Sequence, residues 1–359
     1  MGLDRGQPRF ICLTVDLEQF WSDIFSEEAA RVQAAWQLLD DAERASVCQL
    51  LEAITIDTER SKAQRSAARF ALSVLSEDYR LVAAWLNEAL TFAQRLADQA
   101  AQRLQVAFGG VNGSLKGDGS LVTQADVDTD RWLSAAIRSR YPDHGILSEE
   151  QDTAFHGQAW CWVIDPIDGT TNYAHGFPVW GVLIGLLHHG QPVLGVANFP
   201  LLDERYSALR GHGAWLNDSP IQTAAPDHDP QTGVLRLKPY HLFACCTRTL
   251  HQGRLDLPLK LRVPGTTGYN LALVAKGACV GSLDKVVHVW DVAALWPILL
   301  EAGGWLRASL PSGSPFPLQA GQDYGSLTFS VLAACCRAAL VEFERQLGEA
   351  FNDQIAHTA

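Results

Sequence analysis

The sequence predicts a mixed α/β protein of α+β type, preceded by a small all-helical segment. Three observations lead there. Apolar residues between Ser26 and Leu75 recur at helical spacing. From Leu81 onward, helical patterns alternate with short apolar runs bounded by Gly and Pro, which reads as alternating helix and sheet layers. The 359 residues are 47% hydrophobic and 19% charged, a globular composition long enough to bury a substantial core as one large domain or two.

Taken in order, Ser26-Glu27-Glu28 is an N-cap with first-turn acids, and Val32, Ala35, Trp36 and Leu39 share one face behind it. Asp40-Asp41 starts a second helix with Val47, Leu50, Leu51 and Ile54 inward, and a third lies between Thr58 and Leu75. In that third helix Ala67, Phe70, Ala71 and Val74 turn inward. This segment carries no metal cluster, Gly-rich loop or basic stripe; a packing or oligomerisation element is expected, with a protein-binding module as the alternative, and the sequence does not assign its role. Ser76-Glu77-Asp78 then caps a long amphipathic helix from Leu81 to about Val106. The domain boundary is therefore expected near Leu75, giving residues 1–75 and 76–359.

A Gly-rich loop from Gly109 to Gly119, containing Lys116, follows a helix and not a strand, so it suggests a mobile loop over a site and not a nucleotide cradle. Leu121-Val122-Thr123 leads to Asp126, and Asp128-Thr129-Asp130 starts a helix that Tyr141-Pro142 ends. Gly145 to Leu147 is a short strand delivering Glu149 and Glu150, which point opposite ways on extended backbone. Strands are expected at Val179–Leu187, Pro192–Asn198, Leu201–Leu209, Leu242–Cys246 and Lys260–Val263, with a polar surface loop at Thr223–Thr232. Gly265-Thr266-Thr267-Gly268 opens an apolar helix, Tyr269 to Lys276. Val280 to Leu283 is a strand ending at Asp284, and a helix runs from Trp290-Asp291 to Leu300.

The net charge of −12 argues against a nucleic-acid backbone or an anionic membrane as the main partner. It does not exclude an anionic substrate, because bound cations reverse the field inside a site. No apolar run is long enough to span a bilayer, and MGLDRGQPRF has no signal-peptide core. The eight cysteines lack zinc spacing, and Cys245-Cys246 and Cys335-Cys336, in apolar runs, are read as buried free thiols, which fits a reducing cytoplasm.

The stretch from Trp160 to Trp180 carries the chemistry. A buried run, Trp162-Val163-Ile164, leads into Asp165 and Asp168 across a Pro-containing turn, then Gly169-Thr170-Thr171-Asn172. Two acids held this close repel each other unless a cation lies between them or one is protonated. A strand feeding a Gly-Thr-Thr segment also offers free N–H groups to a phosphate. Metal-holding acids beside phosphate-holding donors point to metal-assisted phosphoester chemistry.

DPIDGTTNY at Asp165–Tyr173 resembles the first signature of the inositol monophosphatase family of magnesium-dependent, lithium-sensitive phosphatases. WDVAALWPILLEAGG at Trp290–Gly304, Ser148-Glu149-Glu150 and LVTQAD at Leu121–Asp126 resemble three more, in the family's order, across about residues 81 to 350. Residues 1 to 75 lie outside that pattern. The resemblance implies the five-layer αβαβα sugar-phosphatase fold and a homodimer. It implies two magnesium ions, one held by Glu149, Asp165 and the carbonyl of Ile167, the other by Asp165, Asp168 and Asp291. A third position is left open, since Ser120 stands where the family's loop carries Asp. Thr170, hydrogen-bonded to Asp126, would orient a water and pass on its proton, with Glu149 also catalytic. The backbone of Gly169 and Thr170 would hold the phosphate. Gly265, Thr266, Thr267 and Asp284 would meet the substrate's hydroxyls, or in the case of Asp284 an ammonium group.

The resemblance therefore implies a phosphomonoesterase acting on a small polyol or sugar phosphate, inositol 1-phosphate first. Histidinol phosphate, fructose 1,6-bisphosphate and 3′-phosphoadenosine 5′-phosphate are alternative substrates. A non-catalytic regulatory protein that kept the fold is the alternative of another class.

Overall fold

The computed structural model describes residues 17–39, 41–57, 60–75, 77–110, 113–115, 121–226, 235–251, 255 and 257–352. The chain forms two compact units, residues 1–88 and 89–359.

The first unit is helical: α1 (Leu17–Ile24), α2 (Ala29–Gln37), α3 (Asp41–Ile56), α4 (Lys62–Leu75) and the first turns of α5 (Glu77–Ala107). Three helices were expected ahead of α5; α1 is additional. Its two turns are too short to set up a clear period, yet they deliver Phe20 and Ile24 to a core shared with Val32, Leu39, Val47, Leu51, Ala68 and Leu72. The third expected helix begins at Lys62, later than Thr58, because Ser61 and Gln64 cap each other there. Gln64 donates its N–H to Ser61 Oγ at 3.2 Å, and Ser61 donates its own to Gln64 Oε1 at 3.0 Å.

In the second unit the remainder of α5 is followed by β1 (Gly113–Leu115), β2 (Leu121–Thr123) and α6 (Gln124–Arg140). Lys116 and Ser120 lie outside the described residues. Next come β3 (Gly145–Ser148), β4 (Ala154–Phe155), β5 (Trp160–Asp168), α7 (Thr170–Ala174), β6 (Gly181–His188), β7 (Gln191–Phe199), β8 (Glu204–Leu209), β9 (Ala214–Leu216) and β10 (Ser219–Ile221). The chain continues through β11 (Leu242–Cys245), α8 (Thr247–His251), β12 (Lys260–Arg262), α9 (Thr267–Ala275), β13 (Gly281–Val287), α10 (Val289–Ala293) and α11 (Leu295–Glu301). Residues beyond Gly304, for which the periodicity set no expectation, form β14 (Trp305–Ala308), β15 (Gln322–Asp323), β16 (Phe329–Ala334) and α12 (Arg337–Asn352).

A seven-stranded sheet has the order β10-β9-β8-β7-β6-β5-β3, and a five-stranded sheet the order β12-β11-β13-β16-β14. Side-chain alternation on the strands assigns the layers. Phe243, Leu283, Leu332 and Ala334 pack with Phe343 and Leu340 of α12, while Ala244, Val331 and Ala333 face the α9–α11 layer. That middle layer also covers Leu147, Val163, Leu183 and Ala197 of the larger sheet. On the sheet's other face, Phe92 of α5 meets Trp162 edge-on, Asn198 donates to Asp98 at 2.7 Å, and Ser148 donates to Asp130 of α6 at 3.1 Å. The unit is therefore layered αβαβα.

The helix expected from Trp290 to Leu300 is broken at Ala294. Pro297 has no N–H to donate to Ala293, so the i to i−4 ladder fails there. The break has a seat. Gly185 and Gly195 pair across β6 and β7, and a Cβ on Gly195 would stand 1.9 Å from the Ala294 carbonyl oxygen. Only a glycine lets that carbonyl approach the sheet so closely.

Candidate active site

The expected turn between Asp165 and Asp168 is instead the end of β5. In a regular strand these residues, an odd number apart, would point to opposite faces. The ladder to β6 shifts there: Asp165 pairs with Leu183, and Asp168 with Gly181. That one-residue bulge, at a proline with no N–H to lose, turns both carboxylates toward one site. The Ile167 N–H donates to Asp165 Oδ1 at 3.0 Å and fixes the bulge. Gly169 leaves the strand at φ +90° and caps α7, a backbone setting that side chains rarely adopt.

Strand pairing brings Glu149 alongside. β3 and β5 run parallel with Ser148 opposite Ile164, and the Glu149 N–H continues the ladder to the Ile164 carbonyl at 3.3 Å. The next residues, Glu149 and Asp165, are thus lateral neighbours on the face that looks toward α9 and α10.

Two helix starts supply two more acids. Asp126 is the third residue of α6 and exchanges hydrogen bonds with Thr123, whose N–H donates to Asp126 Oδ2 at 2.8 Å. The helix thus begins at Gln124, earlier than the expected Asp128. Asp291 is the third residue of α10 and accepts the His288 N–H at 2.9 Å. It is a cap, and it also faces Asp165 and Asp168.

The electrostatics follow from this crowding. The Asp165 carboxyl is pushed well above the usual range, first by burial and then by Glu149, Asp168, Asp291 and Asp126. Asp168 is raised by burial and then by Asp291, with Asp284 adding to it. Thr266 and the Gly268 N–H pull the other way, although Asp168 Oδ2 has no partner with hydrogen-bond geometry. Among the described residues, no three acid, histidine or cysteine side chains yet stand at coordinating geometry. What the acids share is a repulsive field and an all-oxygen donor set, and with the orphaned Asp168 Oδ2 these fit a hard divalent cation.

Beside the acids, Thr170 Oγ1 lies 2.9 Å from Asp126 Oδ1 and 3.1 Å from the Ile167 carbonyl. Its single hydrogen has two acceptor-only neighbours. Of the residues expected at the substrate end, Thr266 is the N-cap of α9, accepts the Tyr269 N–H at 3.0 Å and is buried. Thr267 is the first residue of that helix, and Gly265 lies against the Asn172 side chain. Asp284 is not at a strand end but inside β13, fully buried, accepting from Asn270 Nδ2 at 2.8 Å. Burial lifts its carboxyl to about 8.

Sequence reasoning passed over Asn172. Its Nδ2 donates to the carbonyls of Val179 at 2.7 Å and Pro264 at 2.9 Å, tying the Gly169–Asn172 segment to the Gly265 turn. An Asn ending a Gly-Thr-Thr run is a local clue to such a clamp, but its two acceptors lie elsewhere in the chain.

The arrangement has known counterparts. The model of the inositol monophosphatase family matches residues 85–334. The chain belongs to the inositol monophosphatase family. It is 40% identical over 190 residues to a histidinol-phosphatase of Chlorobaculum parvum, covering 53% of this chain and 73% of that protein. It is 30% identical over 253 residues to inositol monophosphatase 1 of Bos taurus, covering 65% and 87%. The solved inositol monophosphatase of Anabaena (Nostoc) superposes with a TM-score of 0.57 at 27% identity, over 74% of this chain and 96% of that one. Like its family, the protein is a phosphoric monoester hydrolase. Among the described residues, no helix is long and apolar enough to cross a membrane.

Proposed function

We propose that this phosphatase hydrolyses a small polyol or sugar monophosphate, inositol 1-phosphate first, with two magnesium ions. The observation that carries the reading is the set of mutually repelling carboxylates around buried Asp165 and Asp168, beside the Thr170–Asp126 hydrogen bond. In this reading Glu149, Asp165 and the Ile167 carbonyl hold one ion, and Asp165, Asp168 and Asp291 hold the other. Magnesium at such a site supplies Lewis acidity toward water and toward a phosphoryl oxygen.

The chain's own residues do the rest. Thr170 Oγ1 orients the attacking water and relays its proton toward Asp126, whose other oxygen is pinned by Thr123. The backbone N–H groups of Gly169 and Thr170 hold the phosphate oxygens. No side-chain nucleophile is needed, so no phosphoenzyme forms. Gly265, Thr266, Thr267 and Asp284 shape the alcohol end. Residues 1–75, ahead of the family match at 85–334, take no part in the chemistry. We place the enzyme in the cytoplasm as a homodimer, a setting that suits the buried thiols of Cys161, Cys245 and Cys279.

Histidinol phosphate is the second reading, favoured by the 40% identical relative. The test is phosphate release from inositol 1-phosphate, histidinol phosphate, fructose 1,6-bisphosphate and 3′-phosphoadenosine 5′-phosphate, with and without magnesium and lithium. Magnesium-dependent release from inositol 1-phosphate above the others supports the first reading, and preference for histidinol phosphate replaces it with the second. Silence across the panel in protein that binds no magnesium would move the assignment to a regulatory role.

A further inference from the structure

Asp130 lies one helical turn beyond Asp126 on α6 and is fully buried. No cation pairs with it among the described residues, yet its carboxylate is saturated by donors. Oδ1 accepts from Ser148 Oγ at 3.1 Å, from Ser134 Oγ at 3.2 Å and from Gln151 Nε2, while Oδ2 accepts the Glu150 N–H at 3.1 Å. Gln151 Nε2 also donates to Ser134 Oγ at 3.1 Å. Two of these donors, Ser148 Oγ and the Glu150 N–H, belong to the residues on either side of Glu149. A third link, Ser148 N–H to the Asp152 carbonyl at 2.8 Å, closes the same turn.

We infer that Asp130 is the positioning residue for Glu149: it brackets that residue from the opposite face of the strand end and fixes where its carboxylate points. The inference rests on Glu149 being a metal ligand, as proposed above. The chemistry makes Asp130 hard to replace. Every group facing it is a donor, and a carboxylate offers acceptors on both oxygens. Asparagine keeps the shape but offers one carbonyl acceptor in place of two. With its NH2 toward the Glu150 N–H, donor meets donor. With its NH2 on the other side, the Ser148 and Ser134 hydroxyls must turn to accept and the Gln151 amide must turn round, so the turn carrying Glu149 loses the bracket as built.

The test is magnesium binding by isothermal titration calorimetry on the full chain, comparing wild type with Asp130→Asn. Partners that orient a metal's ligands typically change affinity by about 10–100-fold when lost, so the magnesium Kd of Asp130→Asn should rise by that factor. Phe343→Leu, in the core between α12 and the five-stranded sheet, is the control for lost stability alone and should leave the Kd within about threefold. Ser148→Ala, which removes one bond of the bracket, serves if Asp130→Asn does not fold, and should raise the Kd by at least about threefold. Folded Asp130→Asn binding as wild type does, or a loss matched by Phe343→Leu, overturns the inference. So does an unchanged Kd in Ser148→Ala when that variant has to stand in. Wild-type protein that binds no magnesium would instead overturn the metal reading on which it rests.

Discussion

Replacing Thr170 by valine separates the chemical role of this residue from its structural one. Valine keeps the branched shape and removes only the hydroxyl. In the native site that hydroxyl lies 2.9 Å from Asp126 Oδ1, and Asp126 is fully buried. Losing a hydrogen bond to a charged group costs about 1.5–3 kcal/mol. Thr170 itself is half-buried, so water replaces part of the bond, and about 1–2 kcal/mol remains. For a unit of this length that lowers Tm by roughly 2–8 °C. If the hydroxyl handles the proton of the attacking water, kcat should fall by about 10²–10⁴, or about 3–5 kcal/mol of barrier. The catalytic loss thus exceeds the stability loss, and KM should move by no more than about threefold if the phosphate is held by backbone N–H groups as proposed. Steady-state kinetics at saturating magnesium and thermal unfolding of the same preparations decide it, with Thr170→Ser expected to restore kcat to within about tenfold. A valine variant that keeps more than about a tenth of wild-type kcat would refute the proton-handling role of Thr170.

Two further outcomes are expected. Asp165→Asn should abolish turnover without lowering the Tm of metal-free protein, because it removes a charge that burial and Glu149 already disfavour, while Asn Oδ1 can still accept the Ile167 N–H. Magnesium is expected to raise the Tm of wild type, and the same variant should lose most of that rise, as scanning calorimetry with EDTA or magnesium will report. Metal-free wild type should also become less stable as pH rises from about 4 to 8. Asp284 has a folded value of about 8 against 3.8 when unfolded, so its contribution is complete below the lower value and lost as pH rises through the upper one. Asp284→Asn should flatten that slope, and a slope unchanged by it would show that other groups set the pH dependence.

Much of the site was legible because each acid sits in a locally recognisable context. The apolar run ending at Asp165, the Pro and Gly around Asp168, and the helix starts at Asp126 and Asp291 all announce themselves over a few residues. Local context was misleading where one cue fits two backbones. Asp165-Pro166-Ile167-Asp168 reads as a turn, yet it is a bulged strand, because β6 was available to pair with it. Asp284 reads as a strand end, but β16 pairs with residues from Gly281 to Val287 and draws it into the interior.

By itself the sequence determined the helical stripes, the apolar strands and the order of the family's signatures, since amphipathic spacing and capping act within a turn or two of chain. Only the tertiary structure decided which acids meet. Glu149 reaches Asp165 through the parallel register of β3 and β5, and Asp291 comes from a helix seated on the Gly185–Gly195 notch. Asp130 finds its donors on the turn around Glu149. Register, seating and such brackets depend on pairing between distant segments, and no short-range period encodes that.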